Sequence, residues 1–183
     1  MPRILFSLIL FMTIGFSGCR LPVRETDDID GGVKTYNSGE ASPKVVESTE
    51  IVSFKCEFSL LAAVLEEESE LNGRIYTLDA ELDDGTVKCK IDWYGRESSS
   101  VPREFTADAS FMTSLQEIVS KYDFAQHNGY ESVVSGLPHM YGANLDIKYA
   151  SGESIYAYDN QDCFISIDAI NELVEIFNIT EKE

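Results

Sequence analysis

Asp83-Asp84-Gly85 stands between two runs of alternating residues, 75–82 and 86–94, and this arrangement constrains the chain more than any other feature. Asp-Gly suits a type I′ turn, in which both central residues take positive φ and the turn's twist matches that of the flanking strands. A two-residue turn at Asp84-Gly85 sets Asp83 opposite Thr86. Leu82 then faces Val87, Ala80 faces Cys89, Leu78 faces Ile91 and Tyr76 faces Trp93, while Glu81 meets Lys88 and Asp79 meets Lys90. Apolar side chains share one face and opposite charges share the other. A three-residue loop would put Glu81 against Val87 and Ala80 against Lys88, mixing the two sets. The spacing therefore predicts a hairpin with one buried face.

The surrounding sequence extends this pattern into a domain. Val52, Phe54, Cys56, Phe58 and Leu60 alternate with Ser53, Lys55, Glu57 and Ser59, which predicts a half-buried strand. The stretch 61–71 is read either as a short helical turn or as an acidic excursion. After a polar loop over 95–103, Phe111, Met112, Leu115, Ile118, Val119 and Tyr122 recur at helical spacing, predicting a helix over 109–122. Asp108 is its expected N-cap, placed to accept free N–H groups of the first turn. A second hairpin is expected over 144–158 around Ala150-Ser151-Gly152, as a three-residue loop with Gly152 left-handed. It pairs Ile147 with Ile155 and Leu145 with Ala157, leaving Asp146, Lys148, Tyr156 and Tyr158 on the other face. Ile170, Leu173, Val174 and Phe177 mark a last helix capped by Ser166 or Asp168.

Each half thus runs hairpin, loop, Asp-Ala step, amphipathic helix. The expected class is α+β: an antiparallel sheet with helices packed on one face, built from two ββα units with an extra leading strand. A length of 183 residues suits one domain with appendages, and 44% hydrophobic and 11% aromatic residues suffice for a core. The net charge of -18 repels phosphate backbones, which excludes nucleic-acid binding through a basic face.

The amino terminus is different in kind. Arg3 precedes an apolar run, 4–16, of about 13 residues, whereas crossing a hydrocarbon core as a helix takes roughly 20. The run fits the hydrophobic region of a secretory signal peptide. It ends in Phe16-Ser17-Gly18-Cys19, which resembles the lipobox of bacterial lipoproteins, with Phe16 standing where that family usually has Leu. The resemblance implies export, transfer of a diacylglyceryl group to the Cys19 thiol and cleavage before Cys19. Residues 1–18 are then a signal peptide, and the membrane is met through covalent lipid on the outer side. Residues 19–49 hold Gly31-Gly32, Ser38-Gly39, Pro43 and the acids Asp27, Asp28 and Asp30. They read as a solvated linker reaching roughly 30 Å, with one globular domain over 50–183.

Candidate sites are weighed against plain structural roles. Cys56 and Cys89 lie on inward faces, so they are either a disulfide, if their strands adjoin, or two buried thiols. Cys163 is left over, and no Cys or His spacing suits zinc. No cofactor is expected: glycine-rich phosphate loops and EF-hand spacings are both missing from the sequence. The connection 124–145 is long, so it is read either as core packing, with a short strand over 131–134, or as a binding loop presenting Tyr130, His139 and Tyr141. Tyr156 and Tyr158 are candidate interface residues, since tyrosine brings large contact area at small entropy cost. The expected role is binding of an envelope protein or glycan. The alternative is a small hydrolase using His127 or His139.

Overall fold

The computed structural model describes residues 25–29, 32–60, 71, 74–95, 102–136 and 142–179. Cys19, the acidic stretch 61–70, His139 and Tyr141 lie outside these residues. In chain order the elements are β1 (Glu25–Ile29), β2 (Gly32–Asn37), β3 (Ile51–Ser59), β4 (Ile75–Asp83), β5 (Thr86–Tyr94) and β6 (Arg103–Asp108). Then come α1 (Ser110–Lys121), a 3₁₀ turn (Phe124–His127), β7 (Glu131–Val134), β8 (Ala143–Tyr149), β9 (Ser154–Asp159) and α2 (Ile167–Ile179). Among the described residues, nine strands form one sheet in the order β1-β2-β7-β9-β8-β3-β4-β5-β6. All neighbours are antiparallel except β7 and β9, whose parallel contact makes the sheet mixed. The class is α+β, as expected.

Both hairpins take their expected registers. Asp83 opposes Thr86, Leu78 opposes Ile91 and Tyr76 opposes Trp93, with Asp84 at φ 47° and Gly85 at φ 81° in the turn. Ile147 opposes Ile155 and Leu145 opposes Ala157, with Gly152 at φ 88°. The leading strand β3 lies between the two hairpins, pairing with β4 on one side and β8 on the other. Phe54 consequently meets both Ala80 and Ile147, and Cys56 meets both Leu78 and Leu145. These inward residues form one core with Leu115, Ile118 and Val119 of α1 and Ile170, Leu173, Val174 and Phe177 of α2. The two helices therefore cover the same face. Ser166 Oγ accepts the Ala169 N–H at 3.3 Å, so Ser166 rather than Asp168 caps α2. Asp108 accepts the Ser110 N–H at 2.8 Å, but it sits one residue outside the helix's N-cap, Ala109.

Two expectations are corrected. The first concerns the linker: β1 and β2 form a hairpin within residues 19–49, and β2 extends the sheet by pairing with β7 from Lys34↔Val134 to Asn37↔Glu131. The domain thus begins by Glu25, not near residue 50. Its ordering comes from backbone pairing at an edge, which needs little apolar alternation. Residues 43–48 are also fastened to the domain. Asn128 Nδ2 donates to the Pro43 carbonyl at 3.0 Å, Lys44 Nζ donates to the Asn128 carbonyl at 2.7 Å, and the Glu153 carboxylate accepts the N–H groups of Glu47 and Ser48 at 3.1 and 3.0 Å. The second concerns the thiols. β4 separates β3 from β5, so Cys56 and Cys89 are two strand spacings apart across the sheet, roughly 9–10 Å, and offset by two residues along it, beyond disulfide reach. Both are free and buried.

The Glu153 contact predicts a pH response. The backbone N–H of Glu47, then the Ser151 hydroxyl, hold the Glu153 carboxyl below its ordinary pKa, with Ser48 adding to the effect. A lowered folded-state pKa means that the stabilisation is present above the unfolded value and is lost as pH falls through the folded one. After correction for intrinsic rates, amide exchange at Glu47 and Ser48 is expected to accelerate below about pH 4. Glu153→Gln should show the faster exchange already at neutral pH, and protection independent of both would remove the contact.

Candidate functional site

Among the described residues no helix packs on the other face of the sheet, and the strand registers order its side chains into rows. One row runs Tyr156, Asp146, Lys55, Asp79, Lys90, Glu104 across β9, β8, β3, β4, β5 and β6. After the tyrosine, charge alternates at every strand. The next row runs Ser154, Lys148, Ser53, Glu81, Lys88, Thr106. Lys148 lies 3.8 Å from Asp146, and Lys88 Nζ lies 2.5 Å from Asp83. These ion pairs are exposed, so each contributes little to stability. Their larger effect is on the surface itself: these two rows stay hydrated and nearly balance in charge within a strongly acidic chain.

Tyr156 and Tyr158 both project from β9 onto this face, as expected. Tyr156 is 44% exposed, while Tyr158 is half-buried. The Tyr156 backbone N–H donates to Asn128 Oδ1 at 3.0 Å and its carbonyl accepts the Gly129 N–H at 2.7 Å, so the strand that presents the ring is fastened on its far side. Burial, then the neighbouring acids Glu131 and Asp146, push the Tyr156 phenol above its ordinary pKa.

Tyr130 does not join them. It precedes β7 on the helix side of the sheet, where its hydroxyl donates to Asp159 Oδ2 at 2.7 Å. Asp159 is buried, and its other oxygen accepts the N–H groups of Gln161 and Asp162 at 2.7 and 2.9 Å. Both oxygens are thus committed to holding the turn after β9. Burial, followed by the Asp159 contact, raises the Tyr130 phenol far above its usual range. The ring packs against Tyr36 and Phe164, with centroids 5.9 and 5.8 Å apart. The binding-loop reading of Tyr130 is corrected: the connection supplies β7 and a packed tyrosine.

His127 lies against Phe164, with ring centroids 5.1 Å apart. Burial first, then Lys44, lower its pKa more than Asp123 raises it, so the imidazole is neutral at pH 7. Cys56 is held well above its ordinary pKa by burial, and Cys89 and Cys163 are each pushed up to about 11, also chiefly by burial. Such thiols are poor nucleophiles. A shallow groove of about 600 Å³ at the β5–β6 edge is lined by Lys88, Cys89, Lys90, Glu104, Phe105 and Thr106. Its polar wall is the end of the charged rows. Among the described residues, no group of three His, Cys, Asp or Glu side chains gathers to hold a metal ion.

The residues missed from sequence are those whose partners depend on strand order: Lys55, Glu57, Glu131 and Asn144. Their signal was outward placement within each strand, which does not say what lies beside them. No protein-family model matches this chain, and no curated protein or solved structure is significantly similar to it.

Proposed function

We propose that the chain is a bacterial envelope lipoprotein whose domain acts by binding, through the open face of its sheet, and not by catalysis. The observation that carries the binding reading is a sheet face with two rows of mixed charge, bordered on β9 by Tyr156 and Tyr158. Rigid aromatic rings fastened beside hydrated charges are the composition of an interaction surface. His127, by contrast, packs at a tilt against Phe164, and Asp159 is committed to Tyr130 and two backbone N–H groups.

The anchor reading rests on Phe16-Ser17-Gly18-Cys19 behind a short apolar run. Among the described residues no helix is long and apolar enough to cross a membrane. Acyl chains on Cys19 would supply attachment at about 0.8 kcal/mol per buried CH₂, more than one chain being needed for stable anchoring. Since β1 starts at Glu25, the tether is about 20 Å at full extension. The sheet would stand close to the bilayer.

Cys19→Ser is expected to move the protein from the detergent-rich to the aqueous phase on phase partitioning, and unchanged partitioning would overturn the anchor. Tyr156→Ala/Tyr158→Ala should lose the partner that the wild type retains from an envelope extract. Equal recovery of every partner would remove this surface.

A further inference from the structure

Between β2 and β3 the chain passes β7, β9 and β8 in the strand order, and residues 39–48 cross them as a strap. The crossing is close: a Cβ on Gly39, at φ 72°, would fall 2.6 Å from the Asn128 carbonyl oxygen. The strap is fastened at two places. Pro43 and Lys44 are held by Asn128, with Gln126 Nε2 donating to the Lys44 carbonyl at 3.5 Å. Glu47 and Ser48 are held by the Glu153 carboxylate.

A titratable group stands at each fastening. His127 directly precedes Asn128 and is half-buried. The charged groups acting on its ring are Lys44, from the strap, and Asp123, from the start of its own 3₁₀ turn; Phe164, from the segment after β9, packs against it without charge. A protonated ring would therefore share a partly dry site with the ammonium that grips the Asn128 carbonyl. Burial and then Lys44 hold the imidazole below its ordinary pKa, so the fold is penalised as pH falls from about 6.5, where the unfolded ring titrates, through the folded value. Glu153 faces the Glu47 and Ser48 N–H groups, the Ser151 hydroxyl and, at the end of β8, Tyr149. Its carboxyl is held below an ordinary value of 4.5, so the second fastening outlasts the first as the solution is acidified.

Asn128 joins the first fastening to the strand of Tyr156. It is buried, and its three polar contacts point to different elements: Nδ2 to Pro43, the carbonyl to Lys44, and Oδ1 to the Tyr156 N–H at 3.0 Å. Gly129, next in the chain, donates to the Tyr156 carbonyl at 2.7 Å. The residue that grips the strap thus also fixes β9. We propose that residues 39–48 form an acid-released strap whose two fastenings open in sequence. A proton on His127 drives Lys44 off the Asn128 carbonyl and loosens Asn128, and with it the backbone that presents Tyr156. A proton on Glu153 then frees residues 47 and 48. The strap sets how firmly Tyr156 is held, whatever that tyrosine binds, so a failed envelope-extract experiment leaves it standing.

The test is amide exchange of the full chain in detergent, corrected for intrinsic rates, together with the ring-proton titration of His127, assigned by its loss in His127→Phe. From about pH 7 to about pH 5 the Ser42, Gly129 and Tyr156 amides should lose protection about threefold or more, while Glu47, Ser48 and the amides of β3 and β4 keep theirs. His127→Phe retains a ring against Phe164 but takes no proton, so its protection should stay level over that range. Lys44→Met, which removes the neighbouring charge, should raise the His127 midpoint. Equal acid loss in wild type and His127→Phe would overturn the proposal, as would a simultaneous loss across β3 and β4. Should His127→Phe have a collapsed urea midpoint, the Lys44→Met titration decides: an unchanged His127 midpoint means that the ring and the strap are not coupled, and the proposal falls.

Discussion

Phe177→Ala is expected to lower the free energy of unfolding by about 3–5 kcal/mol, the range for truncating a fully buried Phe. Phe177 is 0% exposed. Its ring meets Phe111 of α1 edge-on, with centroids 5.1 Å apart, and Phe105 of β6 at 6.2 Å. Its carbonyl accepts a hydrogen bond from the Arg103 guanidinium. One residue thus joins both helices to the last strand of the sheet, and the space it vacates is bordered by two rings that cannot collapse without moving β6 or α1. The urea midpoint should fall by roughly 1 M or more. Phe177→Leu should lose less, about 1–2 kcal/mol, because it keeps most of the volume. Val45→Ala, at a position 70% exposed, should stay within about 0.5 kcal/mol. A Phe177→Ala loss below about 1 kcal/mol would mean that α2 is not docked as described.

How far the fold could be read beforehand follows from where its information lies. The two hairpin registers are set locally, by turn chemistry and by the match of apolar and charged partners, and both were legible. Phe177 was legible as an inward helix position for the same reason. Strand order is a tertiary property. Nothing in Cys56 and Cys89 says that β4 comes between them, so inward placement was right while adjacency was not. The edges were hard for another reason. Over β6 only Phe105 and Ala107 lie partly buried and apolar, and β2 is held by its ladder to β7 rather than by an apolar stripe. A strand with little to bury leaves little period to read. The candidate surface was half legible: Tyr156 and Tyr158 stood out as same-face neighbours on one strand. Their grouping with Glu131, Asn144 and Glu57 draws on three other strands and becomes visible only in the assembled sheet.

That assembly depends on one carboxamide. Asn160→Ala is expected to cost about 2–6 kcal/mol, with its effect concentrated on the β1-β2-β7 side of the sheet. The parallel contact of β7 with β9 has only two register pairs, Glu131↔Tyr158 and Ser132↔Asp159. Beyond them the Asn160 side chain continues the ladder: Val134 N–H donates to Oδ1 at 2.9 Å, and Nδ2 donates to the Val134 carbonyl at 2.9 Å. Val134 and Asn160 are both buried, so truncation leaves a donor and an acceptor unpaired, at about 1–3 kcal/mol each. β7 is also the strand through which the β1–β2 hairpin joins the sheet. Amides of β2 and β7 should therefore exchange faster than those of β3, β4 and β8, as in a local opening. Asn160→Asp should not restore protection, since it keeps an acceptor for the Val134 N–H but loses the donor and buries a charge. Because β7 also carries the β1–β2 hairpin, Asn160→Ala should loosen both while the core strands remain protected. Uniform loss of protection across the sheet would show instead that β7 and the core unfold as one unit.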